Sequence, residues 1–150
     1  MGNAMVDIAD STGCSLVGAK LAVSCQIIEI VCGTDLNTAM TSSVTTYYGS
    51  FIAPCPMTLI DAYARAAAAG VASSTLDLQK VPSGTSIAAG TGMITQIAGT
   101  ALTANTNIKA TLSSTILNRN VNAGDMVIVK IVTQAGETLK PPVVTAIFKV

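Results

Sequence analysis

The sequence predicts an all-β protein, a jelly-roll-like antiparallel β-sandwich of about eight strands carrying an extended N-terminal arm. Three observations point there. Clusters of Gly, Pro, Asn and Asp recur at the spacing of short strands, roughly every 8 to 14 residues. Residues 73–81 (SSTLDLQKV), 106–116 and 143–150 (VVTAIFKV) alternate apolar with polar side chains, the period of a strand with one buried face. The apolar half of the 150 residues is aliphatic, since aromatics make up 3% and Trp is absent. One domain of this length, residues 20–150, can bury a core of its own. Residues 1–19 form the arm.

Taken in order, residues 1–19 are small and polar, with Val6 and Ile8 as isolated apolar points, so this segment is expected to be ordered only against a partner. Residues 20–32 (KLAVSCQIIEIVC) read as the first strand. Leu21, Val23, Cys25 and Ile27 share a face, and the Ile27–Ile28 doublet breaks the alternation as a β-bulge would. Residues 33–43 are a polar loop. Residues 44–53 form a strand with Val44, Tyr48 and Ile52 on one face and Tyr47 and Phe51 on the other, bent at Gly49. Pro54 and Pro56 cannot donate ladder hydrogen bonds and mark a crossing between sheets or an edge.

Residues 57–69 (MTLIDAYARAAAA) carry conflicting signals. Alanine favours helix from about Asp61. Alternation favours a strand, with Thr58, Ile60, Ala62, Ala64 and Ala66 opposite Asp61, Tyr63 and Arg65. With β neighbours throughout, a strand to Arg65 and a turn over 66–70 is expected. In residues 73–81, Leu76 and Leu78 point inward and Thr75, Asp77 and Gln79 outward. A loop over 82–92, a short strand over 93–98 and a connection over 99–105 follow. Residues 106–116 give the clearest period of two, with Ile108, Ala110, Leu112 and Ile116 inward. Around Gly124 and Asp125 a turn is expected, Asp125 bonding its own backbone. It leads into MVIVKIV, whose two apolar faces (Val127, Val129, Ile131 against Met126, Ile128, Lys130, Val132) mark a central strand. After a turn at 135–137, Pro141 and Pro142 force an extended entry into the last strand, which ties down the C-terminus.

Charge and cysteine narrow the function. Eight basic and eight acidic residues cancel, and only 11% of residues are charged, against about 25% in a typical domain. No electrostatic footprint for nucleic acid or anionic lipid follows from that. A surface so poor in charge fits two readings equally, a Thr- and Ser-rich sandwich or coverage by other subunits, and the second gives a homo-oligomer, dimer or trimer. No apolar run reaches the roughly 18 residues that span a bilayer, so no membrane partner is expected. Cys14, Cys25, Cys32 and Cys55 have no C-x-x-C spacing and the chain has no His, which argues against a metal site. Free thiols are expected, with Cys25 a small buried hydrophobe.

Without His there is no Ser-His-Asp triad. The Gly84–Ser86 and Gly90–Gly92 loop lacks the Lys and the helix of a phosphate loop. Asp61, Asp77 and Asp125 could serve as a glycosidase pair only if the fold joined two of them. No enzyme activity, cofactor or metal is expected. Tyr48 is read as a core residue and Tyr47 as an interface residue.

From Pro54 the order PCPMTLIDAYARA, STLDLQKV, ATLSSTILNRNVNAGDMVIVKIV and VVTAIFKV resembles the small β-sandwich virion proteins of tailed bacteriophages: capsid decoration or cement proteins and related fibre modules. The likeness covers residues 51–150, and N-R-x-V-x-A-G-D-x-V-x-V at 118–129 is its most specific part. It implies a structural role on the capsid surface of a virion made in a bacterial cytoplasm, with the major capsid protein as partner. Val6, Asp7, Ile8 and Asp10 of the arm, with Tyr47 and Phe51 of the sandwich, are the candidate interface residues. A receptor- or glycan-binding module of a tail or head fibre is the alternative.

Overall fold

The computed structural model describes residues 15–17, 20–22, 24–40, 43–71 and 73–150. Val6, Asp7, Ile8, Asp10 and Cys14 lie outside these described residues. The strands are β1 (Ser15–Val17), β2 (Lys20–Ala22), β3 (Cys25–Val31), β4 (Thr45–Ile52), β5 (Met57–Arg65), β6 (Thr75–Val81), β7 (Thr91–Gly92), β8 (Ile97–Ala98), β9 (Ile108–Lys109), β10 (Asn120–Val121), β11 (Met126–Val132) and β12 (Val143–Lys149). A four-residue helix, α1 (Ile116–Arg119), and two 3₁₀ turns complete the elements.

Two antiparallel sheets pack face to face. One has the order β10-β5-β12-β3, with β9 also on β5; the other is β4-β11-β6-β7, with β8 also on β6. The pairing is nested: β3 with β12, β4 with β11, β5 with β9 and β10, β6 with β7 and β8. It is the pattern of one long antiparallel ribbon rolled up, closed by β12 against β5 and β11 against β6. The last two strands are thus the centres of the two sheets. The Pro54–Pro56 segment does cross between sheets, and residues 57–65 are a strand. Alanine's helix preference yields to pairing with β12, and Ala62, Ala64 and Ala66 turn into the core, each at most 2% exposed.

The core runs through Leu59, Leu76, Leu78, Val127, Val129, Ile131, Val144, Ala146 and Phe148, all at most 1% exposed. At each end of β6 a buried carboxylate holds loops together. Asp125 accepts from Asn122 N (2.9 Å) and from Ser83 N (3.1 Å), closing its own turn onto the loop after β6. Glu137 accepts from Val71 N, Thr138 N and Leu139 N (3.1, 2.9 and 2.7 Å) and from Ser74 Oγ, joining the β11–β12 crossing to the β5–β6 crossing.

Several expectations are corrected. Residues 20–32 are not one strand: Lys20–Ala22 pairs with Ser15–Val17, a stretch assigned to the arm, in a separate two-stranded sheet. In β3 it is Ile28 and Ile30 that are buried, while Cys25 is exposed and Ile27 is 65% exposed. The buried thiol is Cys32 instead, pushed up to about 12 by burial. The β3–β12 register runs without a bulge. The bulges lie elsewhere. One opposes two residues of β4 to Ile128, so Tyr48 and Phe51 both face the core. Gly49, inside that bulge, has φ +50°, and a Cβ there would come within 2.4 Å of Ile30. A second bulge, at Ile60, puts Met57 and Leu59 inward ahead of Ala62 and leaves Ile60 41% exposed.

Asp77 and Gln79, expected outward, are 4% and 5% exposed, with Gly92 and Gly90 stacked against them. Residues 106–116 are not one strand: 108–113 run extended but serve both sheets, as Ala110 N bonds to Ala62 O, then Thr111 O and Ser113 N bond to residues 95 and 93. The ladder therefore breaks, Ile108 and Leu112 are only half-buried, and Ile116 opens α1 at 49% exposure. Of 93–98, only Ile97–Ala98 is a strand.

Candidate interaction surface

The outer face of the β3-β12-β5 sheet carries three rows of side chains set by register: Val31, Val143 and Arg65; Glu29, Thr145 and Tyr63; Ile27, Ile147 and Asp61. Side chains alternate along each strand, so Ile28, Ile30, Ala146 and Val144 go to the core and their neighbours to this face. The middle row extends to Lys109 of β9. Lys109 Nζ lies 2.9 Å from Asp61 Oδ2, the Tyr63 hydroxyl donates to the same oxygen at 2.9 Å, and Lys109 stands 5.6 Å from the Tyr63 ring centre. Burial pushes the Asp61 carboxyl up, but hydrogen bonds from Lys109, Tyr63 and Ala62 N outweigh it and hold the group below the usual carboxylate range. Beside this cluster lies an open depression of about 510 Å³ lined by Glu29, Tyr63, Arg65, Asn107 and Thr145. Its groups can hydrogen-bond and ion-pair with a polar partner.

The same sheet ends in a free edge. Val150 N bonds to Ser24 O and Cys32 N to Pro142 O. Bonded pairs in an antiparallel ladder recur every second residue, so the even-numbered residues of β3 bond to β12. The N–H and C=O groups of Cys25, Ile27, Glu29 and Val31 point away from it. No described strand pairs there. Ile27 and Val31 are 65% and 51% exposed.

The sequence-level candidates fall differently. Tyr47 is half-buried on the outside of the other sheet, opposite Lys130, while Phe51 is half-buried and packs against the core. The two are not brought together. Ile27, Glu29, Val31, Arg65 and Lys109 were missed. The Ile27–Ile28 doublet was the available signal, since reading Ile28 rather than Ile27 as inward places Ile27 and Val31 outside. The three aspartates sit in separate networks: Asp61 with Lys109, Asp77 with Gln79 at 2.8 Å, Asp125 in its turn. The Gly84 loop is closed on itself by Thr85, whose hydroxyl donates to Pro82 O at 2.6 Å. Among the described residues no three His, Cys, Asp or Glu side chains are grouped to hold a metal, and no helix is long and apolar enough to cross a membrane.

No protein-family model matches the chain, and neither does any curated protein or solved structure with which it was compared.

Proposed function

We propose that this protein is a non-enzymatic structural component of a virion, a jelly-roll capsid decoration protein that binds at junctions of the major capsid protein and reinforces the shell. The observation that carries the reading is the free β3 edge flanked by exposed Ile27 and Val31. Unpaired edges are sites of strand addition, and soluble monomers normally blunt them. The nested strand pairing supports the jelly-roll assignment. The low charge of the chain and the likeness of residues 51–150 to phage decoration proteins support the rest. The arm, with Val6, Ile8, Asp7 and Asp10, would widen the contact with the shell.

The test is to mix the purified protein with phage heads lacking a decoration protein and to image the particles by cryo-electron microscopy. Regular density over the shell is expected. Deleting residues 1–14 is expected to weaken binding while leaving the sandwich folded. Attachment at the tail alone would overturn the reading. The depression at Glu29, Tyr63, Arg65 and Asn107 favours the second reading, a glycan- or receptor-binding fibre module, and a glycan array with an Arg65→Ala control distinguishes it.

A further inference from the structure

We infer that the β3 edge pairs with the β3 edge of a second copy, joining two β3-β12-β5 sheets into one continuous antiparallel sheet across a two-fold axis. The inference assigns that edge to a second copy, so that the unit meeting the shell is the dimer, through its arms and outer sheet faces, and it rests on the reading of the protein as an assembly component.

The four sheet edges are not alike. On the β5 side the edge is made of β9 and β10, two residues each, and on the β6 side of β7 and β8, also two residues each. The β4 edge is interrupted by the Gly49 bulge. Short strands and bulges are the ordinary protections against edge pairing. The β3 edge has neither. It is seven residues long, its register to β12 is unbroken, it holds no Pro, and its one charge is Glu29.

The edge is also self-complementary. A two-fold axis makes the new pairing antiparallel and brings the same residues from both copies. The outward-facing backbone groups belong to Cys25, Ile27, Glu29 and Val31, so each must meet one of the same four. Full overlap satisfies that condition about an axis through Ile28, with Cys25 opposite Val31 and Ile27 opposite Glu29. Every free N–H and C=O of the strand then has a partner, as buried backbone groups require. The two Glu29 side chains are not directly opposed, which avoids the like-charge cross-strand pair. Ile27 and Val31 of both copies meet on one face of the joined sheet and lose much of their exposure.

The experiment uses the full 150-residue chain. Sedimentation velocity and equilibrium are expected to give a dimer. Ile27→Pro removes an N–H that bonds to nothing among the described residues, at an edge where Pro is tolerated. The variant is expected to keep its β-type circular dichroism and to self-associate about tenfold or more weakly. Register is read independently by Val31→Cys in a Cys14→Ser, Cys55→Ser background. Mild oxidation should link the new thiol to Cys25 of the other copy, a pair too far apart along one strand to close within a subunit. Peptide mapping identifies the link whether or not the Pro variant folds. A wild-type chain that stays monomeric at its highest soluble concentration overturns the inference, as does a dimer that gives no such link. A monomer that still decorates heads would defeat this pairing alone, whereas a linked dimer that ignores heads would defeat the decoration reading alone.

Discussion

Removal of the Glu137 side chain should be among the most damaging single changes outside the apolar core. Its carboxylate is 5% exposed and serves three backbone N–H groups and the Ser74 hydroxyl. In Glu137→Ala these donors lose their acceptor at once. Thr138 is exposed and Val71 half-buried, so water can reach both. Leu139 and Ser74 are 0% exposed, and each buried donor left unsatisfied costs about 1–3 kcal/mol. The expected loss is about 2–6 kcal/mol, a large share of the ~5–15 kcal/mol that holds a domain together. Glu137→Gln keeps an acceptor for the backbone groups and weakens charge-assisted bonds to neutral ones, for a loss of about 1–2 kcal/mol. Urea denaturation followed by circular dichroism measures both as shifts of the midpoint at constant slope. An Ala variant within 1 kcal/mol of wild type, or a Gln variant as damaged as the Ala variant, would refute the claim that hydrogen bonding at this carboxylate fastens the two crossings.

Four further outcomes are expected. Gly49→Ala should lose about 2–5 kcal/mol in the same assay, because a side chain is strained at positive φ and meets Ile30. Leu78→Ala should lose about 2–5 kcal/mol and Leu112→Ala less than about 2, since the first is fully buried and the second half-buried; equal losses would show the burial difference to be unimportant. Burial raises the Asp77 carboxyl above its usual value despite the Gln79 and Lys130 side chains beside it. Stability tied to the neutral form is therefore present below the unfolded value, about 3.9, and is lost as pH rises through the raised folded value. Asp77→Asn should raise the melting temperature at pH 7 relative to wild type and change it little at pH 3; the reverse order would refute the sign. Asp61 has the opposite sign, its stabilisation present above about 3.9 and lost as pH falls through its lowered folded value. Asp61→Asn should cost less than about 1 kcal/mol at pH 7, shrinking in high salt and in acid; a loss that does not respond to either would show that the Lys109 pair is not its source.

Local chemistry was sufficient for much of this fold. Two prolines at 54 and 56 forbid a continuous ladder wherever they sit, so the sheet crossing was readable. Gly124 and Asp125 close their turn with their own backbone. The MVIVKIV run is apolar on both faces, and Ile128 on one and Val127 and Val129 on the other are each at most 1% exposed, so its composition alone marks a strand covered on both sides. The alternation in β12 needed no knowledge of what it packs against.

The features not written in local sequence depend on partners distant along the chain. A bulge shifts the parity of every residue beyond it, and the bulges at Gly49 and Ile60 are defined by register against β11 and β12, far along the chain. Residues 106–116 alternate as any extended chain does, but alternation does not say that their first half bonds to β5 and their second half to residues 93–95. Asp77 and Gln79 look like outward polar residues until Gly90 and Gly92 are stacked on them. Glu137 looks like a turn residue, bonding Thr138 N and Leu139 N beside it, until the β5–β6 crossing arrives with two more donors, Val71 N and Ser74 Oγ. The candidate surface was hidden for the same reason: whether Ile27 or Ile28 faces the core, and whether the backbone of β3 is bonded on one side or two, is settled by pairing with β12, the last strand of the chain. Side-chain period and turn chemistry are properties of neighbouring residues and are written locally. Register, burial and a free edge are properties of the assembled sheets and exist only once those sheets have formed.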